Sequence, residues 1–163
     1  MTGTPKIPRK DRLRIVVIPC CSFGRNLAYY RAWWDKEHEH FLSLANDHPI
    51  FWRAVNNNFL DMCVLEWCKL FTDKSGQHYW GNIVTDSQKF EAELLRYLGL
   101  DTAAFEQEIK TMRYYRDKFV AHQDLEYIVI LPTLDVAKKA VWFYHAHLVN
   151  HLILLSELLV VRS

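Results

Sequence analysis

Arg113-Tyr114-Tyr115-Arg116-Asp117-Lys118-Phe119-Val120-Ala121-His122-Gln123-Asp124 closes the most strongly patterned stretch of this chain. Counted from Asp101, apolar residues recur at Phe105, Ile109 and Met112 and then at Phe119, in steps of four, three and seven. Such steps lie along one face of an α-helix. The step of seven leaves one position of the stripe unfilled, and the residue four after Met112 is Arg116. A guanidinium inside an apolar stripe costs free energy unless it is paired or opens onto a pocket. His122 lies six residues further on, near the expected helix end.

Two readings of Arg116 follow. In the plain one, an acid or amide on a neighbouring helix neutralises it, and Asn56, Asn57, Asn58, Asp61 and Glu66 form a polar face able to supply that partner. In the functional one, the cation is kept for an anionic ligand beside a histidine.

The run Arg116-Asp117-Lys118-Phe119-Val120-Ala121-His122 resembles the Arg, polar residue, short gap, His signature of the HEPN superfamily of helical domains. The longer string ending at Asp124 is similar to the abortive-infection, AbiU-like branch of that superfamily. The motif covers about nine residues, and the helical pattern around it agrees over most of the chain. The resemblance implies a metal-independent endoribonuclease of toxin or phage-defence type, with its site at a homodimer interface and an antitoxin-like protein as a possible partner. Other members of the superfamily are non-catalytic binding or scaffold modules, which gives the alternative: a helical interaction or nucleotide-binding module.

On this resemblance the catalytic residues are Arg116, His122 and Asp117. His122 has the proton affinity for transfer near neutrality. Arg116 has the permanent charge and fork geometry to hold a phosphate or its transition state. Asp117 either orients His122 or lowers the cost of burying Arg116. RNA-backbone contacts fall to Lys118, Arg113, Lys10 and Arg12, and such contacts carry no sequence information. No cofactor and no metal are called for. Two-fold symmetry would supply the second histidine, one from each copy.

The 163 residues suit one domain, and half of them are apolar, with six Trp, eight Tyr and nine Phe promising an aromatic-rich core. Only five Gly and five Pro argue for long regular elements. The net charge of +1 gives no global nucleic-acid signal, but residues 1–14 hold Lys6, Arg9, Lys10, Arg12 and Arg14 against Asp11, so the remainder is net −3. The run Ile15-Val16-Val17-Ile18 is short and Pro19 interrupts it, and no stretch reaches the roughly 18 unbroken apolar residues of a membrane helix, so a soluble, cytoplasmic protein is expected. Cys20, Cys21, Cys63 and Cys68 match neither a zinc ribbon nor a redox pair and read as reduced core residues.

In chain order, residues 1–12 read as a disordered basic arm and 13–163 as a single helical domain. An extended segment is expected near 13–18, then a helix over 26–44 with Leu27, Tyr30, Trp34, His38, Phe41 and Ala45 on one side. A second helix runs over 49–71, with Val55, Phe59, Met62 or Cys63, Trp67 and Leu70 buried. Residues 72–84 form a loop pinned by Tyr79 and Trp80. Thr85 and Gln88 form a capping-box pattern for a third helix that ends at Gly99, and Asp101 caps the fourth. A second extended segment is expected near 126–131. Thr133 caps a last helix whose apolar side is Ala137, Val141, Tyr144, Leu148, His151, Leu155 and Leu158. That helix is apolar nearly all round towards its end, which suits a dimer contact or a central position. His147 and His151 stand one turn apart, but the sequence signals no third metal ligand. The fold class expected is all-α, an up-and-down bundle of about five helices.

Overall fold

The computed structural model describes residues 7–33, 48–120 and 131–160, the side chains of 157–160 excepted. Its elements are α1 (Arg9–Ala32), α2 (Pro49–Phe71), the single turn α3 (Trp80–Ile83), α4 (Ser87–Leu98), α5 (Thr102–Tyr115) and α6 (Asp135–Val160), with a π-helical turn, Arg116–Val120, continuing α5. No strand occurs among the described residues, and the protein is an all-α helical bundle. The long helix α1 packs chiefly against α2 and α6; α5 rests on α2, and α4 on α6.

The first helix corrects the sequence reading. Residues 9–12, expected in a disordered arm, form its first turn, and 13–18, expected to be extended, continue it. Leu13, Val16, Cys20, Phe23 and Leu27, spaced three, four, three and four apart, are all buried. That stripe faces the partner helices, while Ile15 and Ile18 are exposed and make the sequence look like an unbroken strand. Pro19 lies inside the helix and is itself buried. An interior proline removes one backbone hydrogen bond and costs about 3 kcal/mol or more. Burying five apolar side chains, each contributing about 1.5–3 kcal/mol, outweighs it. The helix expected over 26–44 therefore starts much earlier, and its second half falls outside the described residues. So does almost all of the extended segment expected near 126–131; Leu131 has no regular structure.

The second helix has the expected bounds, with Pro49 in its first turn, where its missing N–H is unneeded. Cys63, Trp67 and Leu70 are buried as expected, joined by Leu60, Val64, Cys68 and Phe71, whereas Met62 is exposed. The core they build is aromatic. Trp67 stacks on Phe71 with ring centroids 5.1 Å apart. Phe71 meets Phe105 and Tyr144 edge-on, and Phe90 contacts Trp80, Phe143 and Tyr144. Each such pair adds about 0.5–1.5 kcal/mol beyond burial alone.

Short-range chemistry sets the remaining ends. The loop after α2 is held by Trp80, buried, and Tyr79, half-buried, as expected. The cap of α4 is Asp86, whose carboxylate accepts from Lys89 N at 2.9 Å. Thr85, expected there, instead accepts a hydrogen bond from Arg9 Nη2 at 2.7 Å. Gly99 ends α4 with φ 68°, a left-handed conformation that glycine takes without strain. Asp101 caps α5 by accepting from Ala104 N at 2.7 Å. The last helix starts at Asp135, with Lys138 N donating to Leu134 O, so Thr133 is outside it. Ala137, Val141, Tyr144 and Leu148 are its buried side. No helix among the described residues is long and apolar enough to cross a membrane.

Candidate active site at the end of helix α5

The apolar stripe of α5 has no gap. Phe105, Met112 and Tyr115 are buried, with Ile109 and Phe119 partly so. Tyr115, three after Met112 and four before Phe119, takes the position that spacing assigned to Arg116. Its ring packs on Phe119 with centroids 5.5 Å apart, and its hydroxyl donates to Asp61 Oδ1 at 2.9 Å. Burial, reinforced by the Asp61 carboxylate, pushes the Tyr115 phenol up. Burial also raises Asp61, and the hydrogen bond from Tyr115 partly counters it. The spacing that pointed to Arg116 passed over Tyr115; a tyrosine three residues past a core methionine was the signal that it belongs inside.

Arg116 stands beside this buried pair, on the first residue of the π turn, with its side chain 26% exposed. Its Nε donates to Asp117 Oδ1 at 2.7 Å, and Nη2 meets the same oxygen at 2.6 Å. Its Nη1 donates to Thr72 Oγ1 at 3.4 Å. Thr72 is the C-cap of α2, and its hydroxyl donates in turn to Cys68 O. Burial works against the guanidinium's charge, but Asp117, Cys68 and Asp73 outweigh it, so its pKa is raised. The cation is thus permanent, is fixed at the junction of two helices and reaches solvent, while its terminal nitrogens carry more N–H groups than these partners engage.

The interhelical partner expected for Arg116 is not used. Asp61 is engaged by Tyr115, Glu66 pairs with Lys69 at 3.0 Å, and Asn56 is buried, with its Oδ1 lacking a hydrogen-bond partner among the described residues. Of the two roles foreseen for Asp117, the one observed is to neutralise Arg116. A π turn continuing a helix displaces side chains from the α-helical register, and such turns frequently mark functional positions.

The other predicted site residues are dispersed among the elements. His122 lies outside the described residues. Arg113 is exposed on the last turn of α5, and Lys118 is half-buried in the π turn. Lys10 and Arg12 belong to the first turn of α1 rather than to a loose arm. Arg12 Nη2 donates to Asn82 O at 3.0 Å, so it holds the α3 turn as well as offering charge to solvent. Arg31 pairs with Asp135, linking α1 to α6.

His147 and His151 approach each other with ring centroids 4.5 Å apart, and His147 abuts Phe90. Burial, and then the charge of His151, lower the pKa of His147. No group of three or more side chains suited to a metal ion occurs among the described residues.

The chain matches no family model, and no curated protein or solved structure shows significant similarity to it.

Proposed function

We propose that this helical domain is a metal-independent endoribonuclease of the HEPN type, acting as a homodimer in a toxin or phage-defence setting, with an antitoxin-like protein as its partner. The observation that supports it most is the Arg116 guanidinium, anchored by Asp117 and Thr72 yet open to solvent, six residues before His122. An anchored cation needs no reorganisation when charge develops on a phosphate.

In the proposed reaction, the imidazole of His122 takes the proton of a ribose 2′-hydroxyl. The freed oxygen attacks the adjacent phosphorus, and Arg116 compensates the charge on the non-bridging oxygens. The 5′-oxygen leaves with a proton from the His122 of a second copy, giving a 2′,3′-cyclic phosphate and a 5′-hydroxyl end. Arg113, Lys118, Lys10 and Arg12 supply backbone contacts whose strength falls with salt.

The pairing of both Arg116 Nε and Nη2 with one carboxylate oxygen also suits a purely structural ion pair, and with it a non-catalytic interaction module. Digestion of mixed RNA in the presence of a chelator separates the two. The nuclease reading expects cleavage by the wild type and a loss of about a hundredfold or more in His122→Ala, in keeping with removal of a general acid–base group. Equal cleavage by both proteins removes His122 from the mechanism, and no cleavage by a folded wild type favours the module.

A further inference from the structure

The face between α1 and α6 carries chemistry that the Arg116 turn does not use. Cys21 on α1 and His145 on α6 meet there, Sγ to Nε2 3.8 Å apart, in an exposed position. With Gly24, Arg25 and Trp142 they line a cavity of about 360 Å³. Gly24 permits the approach of the two helices: a Cβ there would stand 3.0 Å from Trp142 Cη2. Trp142 remains 49% exposed, so one part of its indole wall faces solvent. Arg25, one turn beyond Cys21, makes no ion pair among the described residues.

The three other cysteines are unlike Cys21. Cys20, Cys63 and Cys68 are buried, and each thiol donates to a backbone carbonyl: Val16 O, Phe23 O and Met112 O respectively. Burial pushes the Cys20 and Cys63 thiols up to about 12 and raises Cys68 as well. A buried thiol held protonated is a poor nucleophile. Only Cys21 combines exposure with a base, a cation and an apolar wall.

We propose that Cys21 is a thiol-exchange site for a small, carboxylate-bearing disulfide. The imidazole of His145 takes the Cys21 proton, and the thiolate attacks the nearer sulfur of the incoming disulfide. The S–S bond breaks, a new Cys21–S bond forms, and the other half leaves as a thiolate. Arg25 pairs with the carboxylate, and Trp142 packs against the non-polar body of the ligand. Cys20 borders the same cavity, but its buried thiol donates to Val16 O of its own helix and burial keeps it protonated, so the reaction stops at the mixed disulfide. The site therefore carries a reversible modification rather than a redox cycle.

Dithiobis(nitrobenzoate), an aromatic dianionic disulfide, tests this on the intact chain, since each exchange releases a coloured thiolate. One thiol per chain should react quickly, and Cys21→Ser should abolish that phase. His145→Gln should slow it roughly threefold or more at neutral pH. That gap should close as pH rises and hydroxide takes over the proton, and added imidazole should restore the rate in the variant but not accelerate the wild type. Arg25→Gln should slow dithiobis(nitrobenzoate) while leaving the uncharged dithiodipyridine unaffected. A fast phase that survives in Cys21→Ser, a His145→Gln rate equal to wild type, or an Arg25→Gln loss common to both probes would each overturn the proposal.

Discussion

The two ends of α5 contrast in what holds them. At its start, Asp101 caps the helix and Phe105 enters an aromatic cluster with Trp67 and Phe71. At its end, the helix loosens into a π turn, and polar pairs replace hydrocarbon: Tyr115 with Asp61, and Arg116 with Asp117 and Thr72. The first end is built for stability. The second keeps an acid, a phenol and a guanidinium close to the core, which stability alone does not require. Substitutions at the two ends should therefore differ in kind, the first costing folding energy and the second changing titration and activity.

The largest effect on stability belongs to the packed end. Trp67 is fully buried against Phe71 and Phe105. Trp67→Ala should destabilise by about 3–5 kcal/mol in urea unfolding. A loss below about 1 kcal/mol would mean that the aromatic cluster does not carry the fold.

At the polar end, Tyr115→Phe keeps the ring and removes the hydroxyl that donates to Asp61. It should cost about 1.5–3 kcal/mol at neutral pH, the usual range for a hydrogen bond to a charged group. The sign of its pH dependence follows from Asp61. Its folded pKa is already raised above the ordinary 3.8, so the folded state binds more protons, and stability falls as pH rises from that value through the folded one. Without the hydroxyl, which lowers the pKa, Asp61 should titrate higher still. The cost of Tyr115→Phe should then shrink on acidification, as paired denaturation curves at neutral and acid pH would reveal. A cost that is the same at both pH values would separate Tyr115 from Asp61.

The smallest expected effect is a gain. Asn56 is 3% exposed, its Oδ1 has no hydrogen-bond partner among the described residues, and it lines a cavity of about 340 Å³ with Tyr29, Trp52, Val55 and Phe59. Asn56→Leu removes the unpaired amide oxygen and adds apolar volume, so it should stabilise by about 1 kcal/mol. Thermal melting reads this, and a lower midpoint would show that the amide has a structural task.

The same contrast explains what could be read ahead of the structure. Helix α2, the glycine stop of α4 and the aspartate cap of α5 were legible, because caps, breakers and a 3.6-residue period are local properties. Helix α1 was not. Pro19 suggests a break, and the solvent-facing Ile15 and Ile18 hide the period of Leu13, Val16 and Cys20, which only packing on two neighbours makes decisive. At the candidate site, spacing placed Arg116 inside the stripe, whereas Tyr115 takes that position and Arg116 stands beside it. Positions three and four after Met112 are both compatible with the stripe, and the choice of Tyr115 rests on Asp61, which comes from another helix. The exposed pairing of Cys21 with His145 joins residues far apart in the chain, and no spacing rule connects them.

We propose that Arg116 acts on phosphate through its fixed guanidinium. The most direct measurement is cleavage of a defined RNA in chelator by Arg116→Lys beside wild type, with melting followed in parallel. A lysine keeps the charge but cannot reproduce the fork that Asp117 and Thr72 hold. The account predicts that cleavage falls by about a hundredfold while the melting midpoint changes little. Cleavage by the lysine variant at the wild-type rate, or a folded wild type that cuts nothing, would contradict it.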